Sequence, residues 1–207
     1  MLIEIDYLKF KYNPKFTGGI HLGAHYCEEH EDYLRMGIVD QIWVEPCQKA
    51  FDIAREKVGN KKGCLLFHCA CGESEGKALM NVANSNEGQS NSILMPDKHL
   101  IQHPSVVFTE TEEVIVTRLD SLPFDRKKYN FLAMDIQGYE GHALRGARNT
   151  LAYIDYVYTE VNKDSVYKYC TQIDEMDELL FEFDRVETKW VGDWGDAFYI
   201  RKTINVK

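Results

Sequence analysis

Four short stretches place polar, reactive side chains directly after apolar runs: GGIHLGAHYCEEH (18–30), QIWVEP (41–46), FLAMDIQGYEG (131–141) and YVYTEV (156–161). In an open α/β sheet, ligands bind outside the carboxyl ends of the strands, so the residues that close each run are the candidates for chemistry. Gly23 allows a tight turn and a close backbone approach to a ligand, and Ala24, His25, Tyr26 and Glu28 follow it. Glu45 ends the second run 22 residues after Gly23, where an acid accepts hydrogen bonds from the hydroxyls of a ribose. Taken alone it also fits an exposed acid capping the helix that begins near Pro46. Asp135 closes the fourth run and points into the cleft, with Gly138 permitting a turn before Glu140 opens a helix. Ala70, Cys71 and Gly72 fall where backbone groups could hold an adenine edge. A pyrophosphate site wants GxGxxG after the first strand, and this turn has a single glycine, so a nucleoside ligand without phosphates fits better.

The elements that must position these residues are legible as alternation. The runs IHL (20–22), QIWV (41–44), CLLFHCA (64–70), FLAMDI (131–136) and YVYTEV (156–161) are rich in branched and aromatic residues and alternate with amphipathic stretches. That pattern predicts βαβ units around a mostly parallel sheet. Residues 28–37 predict the first crossover helix, with Glu28 and Glu29 at its start and Gly37 at its end. Phe51, Ala54 and Val58 predict a second helix after Pro46. Ala143, Leu144 and Ala147 share a face in a third, and Ile173, Met176, Leu179 and Leu180 in a fourth. RVETKWV (185–191) and DAFYIR (196–201) are joined by GDWG, which predicts a closing antiparallel hairpin. Residues 83–104 read as a long polar loop, and long ordered loops in compact domains are usually functional.

With 207 residues, 44% of them hydrophobic and 28% charged, the chain reads as one globular domain over residues 1–207. Its 24 basic and 33 acidic residues give a net charge of −9, which argues against a nucleic-acid partner. No apolar run reaches the roughly 18–20 residues that span a bilayer, and the start shows no secretory signal; a soluble, cytoplasmic protein is expected. The six cysteines form no CxxC pair and read as reduced, mostly buried thiols. His21, His25, Cys27 and His30 match no common zinc pattern. The oligomeric state is not legible.

The combination of LGAH (22–25) followed by acids, VEP (44–46), LDSL (119–122), MDIQGYEGHALRGA (134–147) and YTEV (158–161) resembles the FkbM-type S-adenosylmethionine-dependent methyltransferases, over about residues 18–200. That resemblance implies a Rossmann-like, seven-stranded, mostly parallel sheet with a C-terminal antiparallel hairpin and helices on both faces. It also implies S-adenosylmethionine as cofactor and O-methylation of a hydroxyl on a sugar, a glycan or another small molecule. Two positions depart from the family pattern. His21 stands where an Asp is common, and Gln137 replaces the usual Glu of DxEGxE.

On this reading His21, Gly23, Ala24, Tyr26, Glu28, Glu45, Pro46, Ala70 and Cys71 contact the cofactor. Methyl transfer from a sulfonium is an in-line displacement, so alignment and exclusion of water matter most. Asp135 is the first candidate for general base, or for orienting the hydroxyl, and His25 is the rival because its pKa lies near neutrality. Asp135 and Glu160 together offer the hard oxygen ligands that Mg²⁺ or Mn²⁺ prefers, and a cation there would acidify a bound hydroxyl. Ser90, Asn91 and Ser92 of the polar loop, Gln137, Glu160 and Trp194 complete the expected acceptor site. Trp190 reads as sheet-edge packing. A nucleotide-dependent oxidoreductase and a non-catalytic module on the same fold are the competing classes.

Overall fold

The computed structural model describes residues 1–204. The elements run α1 (Ile5–Tyr12), β1 (Gly18–Leu22), α2 (His30–Arg35), β2 (Asp40–Val44), α3 (Gln48–Val58), β3 (Cys64–Phe67), β4 (Ala70–Cys71), β5 (Gly76–Ala83), α4 (His99–Gln102), β6 (Phe108–Thr117), β7 (Phe131–Met134), α5 (Glu140–Arg145), α6 (Arg148–Leu151), β8 (Tyr156–Asn162), α7 (Ile173–Leu179), β9 (Phe183–Val191) and β10 (Trp194–Arg201). Seven strands form one sheet in the order β3-β2-β1-β7-β8-β10-β9, parallel except for β10, which runs antiparallel to both β8 and β9. Strand order reverses between β1 and β7, whose registers pair Gly19 with Phe131 and Leu22 with Met134.

The period of two that marks a strand sorts the core into two layers. Ile20, Leu22, Ile42, Val44, Leu132 and Met134 face one side and pack with Ala143, Leu144 and Met176 of α5 and α7. Trp43, Phe131 and Ala133 face the other and pack with Leu8, Tyr33, Ala54 and Val58 of α1, α2 and α3. The strands are therefore apolar on both faces, as a sheet covered on both sides requires. On the second face His21, Trp43 and Tyr33 stack in sequence, with ring centroids 5.1 and 5.3 Å apart.

Three expectations change. The third apolar run is not one strand: β3 ends at Phe67, and Ala70–Cys71 leaves the main sheet to pair with β6. Around it β4, β6 and β5 build a second sheet that the sequence reading did not identify. Its signal was the run of β-branched residues in TETEEVIVT (109–117), where Val114 and Val116 turn inward while Ile115 stays exposed. The polar loop is the connection between β5 and β6, and it carries the short helix α4. The N-terminal helix α1 also went unread, because only Ile5 and Leu8 of its eight residues are buried.

Candidate active site

At the reversal between β1 and β7 a cavity of about 490 Å³ opens along the carboxyl ends of the strands, within the range of a small-molecule site. Gly23 shapes its floor at φ +83°, and a Cβ added there would lie 1.9 Å from the Asp135 carbonyl oxygen. Only glycine lets β1 turn away while its backbone lies against the end of β7. The amides of Gly23 and Ala24 both donate to the Val44 carbonyl, each at 3.0 Å. Glu45 then ties this turn to the next helix: one carboxylate oxygen accepts from the His25 amide at 2.8 Å and the other from the Cys47 amide at 2.8 Å. Burial pushes the Glu45 carboxyl up to about 7, against the pull of those two amides.

All the residues expected to bind cofactor or acceptor line this cavity except Tyr26. The Tyr26 ring instead stacks on His25, 3.7 Å between centroids and 22° between planes. His25 has both ring nitrogens engaged, Nδ1 with Glu28 at 2.6 Å and Nε2 with the Glu87 carbonyl at 3.0 Å. Burial opposes its charge, but these two acceptors prevail and raise its pKa. It clasps the β5–β6 connection to the turn after β1. His21 lies buried, accepts from the Tyr33 hydroxyl at 2.9 Å, and is held neutral by desolvation.

The carboxyl ends of β7 and β8 bring the acids together. The Gln137 amide nitrogen donates to Asp135 Oδ1 at 2.7 Å and to Glu160 Oε2 at 2.9 Å. Its carbonyl oxygen accepts from the Tyr167 hydroxyl at 3.0 Å, and its backbone sits at φ +53°. Burial, and then the charge of Asp135, hold the Glu160 carboxyl well above the usual range, whereas Asp135 itself is exposed to the cavity. Burial thus favours the proton on Glu160, while the Asp135 carboxyl stands open to the cavity. Glu140 lies beneath, buried, accepting from the amides of Ile136 and Gly138 and pushed up to about 7 by burial.

The expected Mg²⁺ or Mn²⁺ site on Asp135 and Glu160 does not fit this arrangement. The amide nitrogen of Gln137 occupies the bridging position between the two carboxylates, and among the described residues no three His, Cys, Asp or Glu side chains are grouped to hold a metal. An amide donor and a cation cannot share that place.

The polar loop is ordered by its own side chains. The Ser92 hydroxyl donates to the Gln137 carbonyl at 2.8 Å, and Asn91 Oδ1 accepts from the Ala83 amide at 2.8 Å. Ser90, Asn91 and Ser92 thus wall the cavity while bracing β5. Trp194 lines it from the closing hairpin, and Trp190 packs against the core beneath the Lys163 ammonium. The sequence reading missed Asp196, which pairs in register with Glu160 and bonds the Tyr158 hydroxyl, and His99, which α4 turns toward the same cavity. All six cysteines are free, and all but Cys64 are buried.

Sheet order, closing hairpin and a cavity at the end of the first strand define the Rossmann-like fold of S-adenosylmethionine-dependent methyltransferases. Solved structures share it at low identity. Sp1610 of Streptococcus pneumoniae, provisionally assigned as a tRNA (m1A22) methyltransferase, is 10% identical with a TM-score of 0.55, over 100% of this chain and 73% of that one. The plantazolicin methyltransferase BpumL in complex with SAH is 10% identical, TM-score 0.53, over 94% and 79%. Magnesium protoporphyrin IX methyltransferase of Synechocystis PCC 6803, with bound SAM, is 9% identical, TM-score 0.51, over 96% and 76%.

The sequence pattern of the Methyltransferase FkbM domain matches residues 18–186, and the chain belongs to that family. A relative, the 2-O-methyltransferase NoeI of Sinorhizobium fredii (strain NBRC 101917 / NGR234), is 26% identical over 160 residues, 74% of this chain. The match spans 66% of that relative's length. No helix among the described residues is long and apolar enough to cross a membrane.

Proposed function

We propose that this protein is an O-methyltransferase, acting as a single domain on a hydroxyl of a sugar or glycan with S-adenosylmethionine as methyl donor. The observation that carries the reading is Asp135, an acid facing the cavity, held by one Gln137 amide beside Glu160, whose carboxyl burial pushes well above the usual range. The likeness to a 2-O-methyltransferase supports a hydroxyl acceptor. The acidic balance supports a small acceptor over a nucleic acid, and six free thiols support a reducing, cytoplasmic setting.

The residues present fit the methyl donor. Gly23 lays the end of β1 against the Asp135 carbonyl at the cavity floor, Glu45 offers carboxylate lone pairs to ribose hydroxyls, and Ala70 and Cys71 border the base site. When bound, the donor supplies an electrophilic methyl on a sulfonium. Asp135 accepts the hydrogen bond of the acceptor hydroxyl and takes its proton as the oxygen attacks. Gln137 fixes the Asp135 carboxylate, and the clasp from His25 to Glu87 keeps the β5–β6 connection folded over the cavity to exclude water.

The test is Asp135→Asn, assayed by methyl transfer to a panel of glycosides and by titration with S-adenosylhomocysteine. Turnover is expected to fall on the order of 100-fold or more, with the titrated Kd within about twofold of wild type. Undiminished turnover would remove Asp135 from the mechanism.

A further inference from the structure

The wall of the cavity formed by α4 and the β5–β6 connection contains a hydrogen-bonded chain whose two end atoms are buried and unpartnered. Asn86 Nδ2 donates to the Ser90 hydroxyl oxygen at 2.8 Å, and that hydroxyl lies 3.2 Å from His99 Nε2. His99 is 4% exposed, its Nδ1 has no partner, and neither has the buried Oδ1 of Asn86. With the amide donating into Ser90, the hydroxyl hydrogen is free for His99 Nε2, which leaves Nδ1–H as a donor and Asn86 Oδ1 as an acceptor. The His99 ring is fixed against Phe108 and Tyr167, at 5.4 and 5.2 Å, and Trp194 packs into the same cluster. Buried polar atoms are rarely left unpaired without a purpose, and a polyol supplies hydroxyls that both accept and donate.

The charge of the same cavity narrows the ligand. Glu28, Glu29, Glu45, Asp135, Glu160 and Asp196 line it, and no lysine or arginine does among the described residues. Burial pushes His99 down to about 4, so it supplies no cation either. A phosphate or carboxylate on the acceptor would meet mostly these acids and no guanidinium or lysine ammonium; His25, already paired with Glu28, and the Met1 amino terminus are the basic groups nearest to them. A sulfonium donor suits the same field.

Building on the methyltransferase reading above, we propose that His99, with Ser90, Asn86 and Trp194, forms the acceptor subsite. There His99 sets specificity, and the ring it admits carries neither phosphate nor carboxylate. Methylation then acts on sugar residues that have no phosphate of their own within reach of the cavity, which places it outside the reactions that handle sugar phosphates.

The experiment compares neutral methyl glycosides with the same glycosides as 6-phosphates and as uronic acids, measuring kcat/KM on the full chain and binding of S-adenosylhomocysteine in parallel. The neutral members are expected to exceed their anionic counterparts at least tenfold. His99→Phe, which keeps the ring packing, is expected to raise the acceptor KM at least tenfold with the S-adenosylhomocysteine Kd unchanged, and His99→Asn to restore part of the loss. Equal or better use of the anionic glycosides overturns the charge rule alone, and an unchanged KM in a folded His99→Phe overturns the role of His99. If no sugar is methylated while S-adenosylhomocysteine binds and other alcohols react, the sugar reading itself fails and this subsite with it. The wild-type comparison decides the charge rule even if His99→Phe does not fold.

Discussion

Gln137→Glu restores the acid usual in the family, and the structure assigns it a cost. The amide bridges Asp135 at 2.7 Å and Glu160 at 2.9 Å, so a carboxylate in its place loses two donors and adds a third acid to the group. If both charges persist about 3 Å apart, repulsion at an effective dielectric of 20 is about 5 kcal/mol. Taking up a proton instead costs about 5 kcal/mol at pH 8 but only about 2 at pH 6, from an ordinary Glu pKa near 4.3. Water reaching the exposed Asp135 screens about half of this, leaving a loss of roughly 2–3 kcal/mol at pH 8 and about 1 kcal/mol at pH 6.

The new carboxyl has its folded pKa raised above its unfolded one, so the deficit is smallest in acid and grows as pH rises through the folded pKa. Thermal unfolding should show Tm lowered by about 5–10 °C at pH 8 and about 2–4 °C at pH 6 relative to wild type at each pH. Gln137→Leu, which removes the bridge without adding charge, should show a deficit that does not grow with pH. A Gln137→Glu protein as stable as wild type at pH 8 would refute the bridging role of the amide.

Two further outcomes concern the cofactor end. Gly23→Ala puts a methyl 1.9 Å from the Asp135 carbonyl oxygen at φ +83°, so the ends of β1 and β7 must part by about 1 Å, a displacement that costs on the order of 100-fold in rate. Titration calorimetry is expected to show S-adenosylhomocysteine binding weakened at least tenfold, and an unchanged Kd would deny Gly23 its place beneath the ligand. Because burial holds Glu45 at about 7 and donors favour its charged form, affinity should fall as pH drops from 8 to 6, with Glu45→Gln flattening the profile. Without ligand the sign reverses. The raised carboxyl contributes its stability fully below an ordinary Glu pKa near 4.3 and loses it as pH rises through about 7. A flat wild-type binding profile over that range would detach Glu45 from the ribose.

Local pattern determined much of this protein. Apolar runs with branched residues must become strands covered on both faces, so the parallel sheet and the hairpin around Gly192 and Asp193 were legible from residue order alone. Residues that end such runs must lie at one edge of the sheet, which is why Gly23, Glu45, Asp135 and Glu160 could be named together. Relations between distant segments were not legible. No local signal told that Gln137 would reach Glu160, 23 residues on, as well as Asp135, or that His25 would reach Glu87. Nor could order alone show that α4 would carry His99 to the cavity wall, or that the β-branched run of β6 would find its partner in β5. These contacts depend on which pieces the folded sheet brings within hydrogen-bonding distance, and on the burial that then decides which acid keeps its proton. Periodicity specifies the faces of each element, but only packing decides what those faces meet.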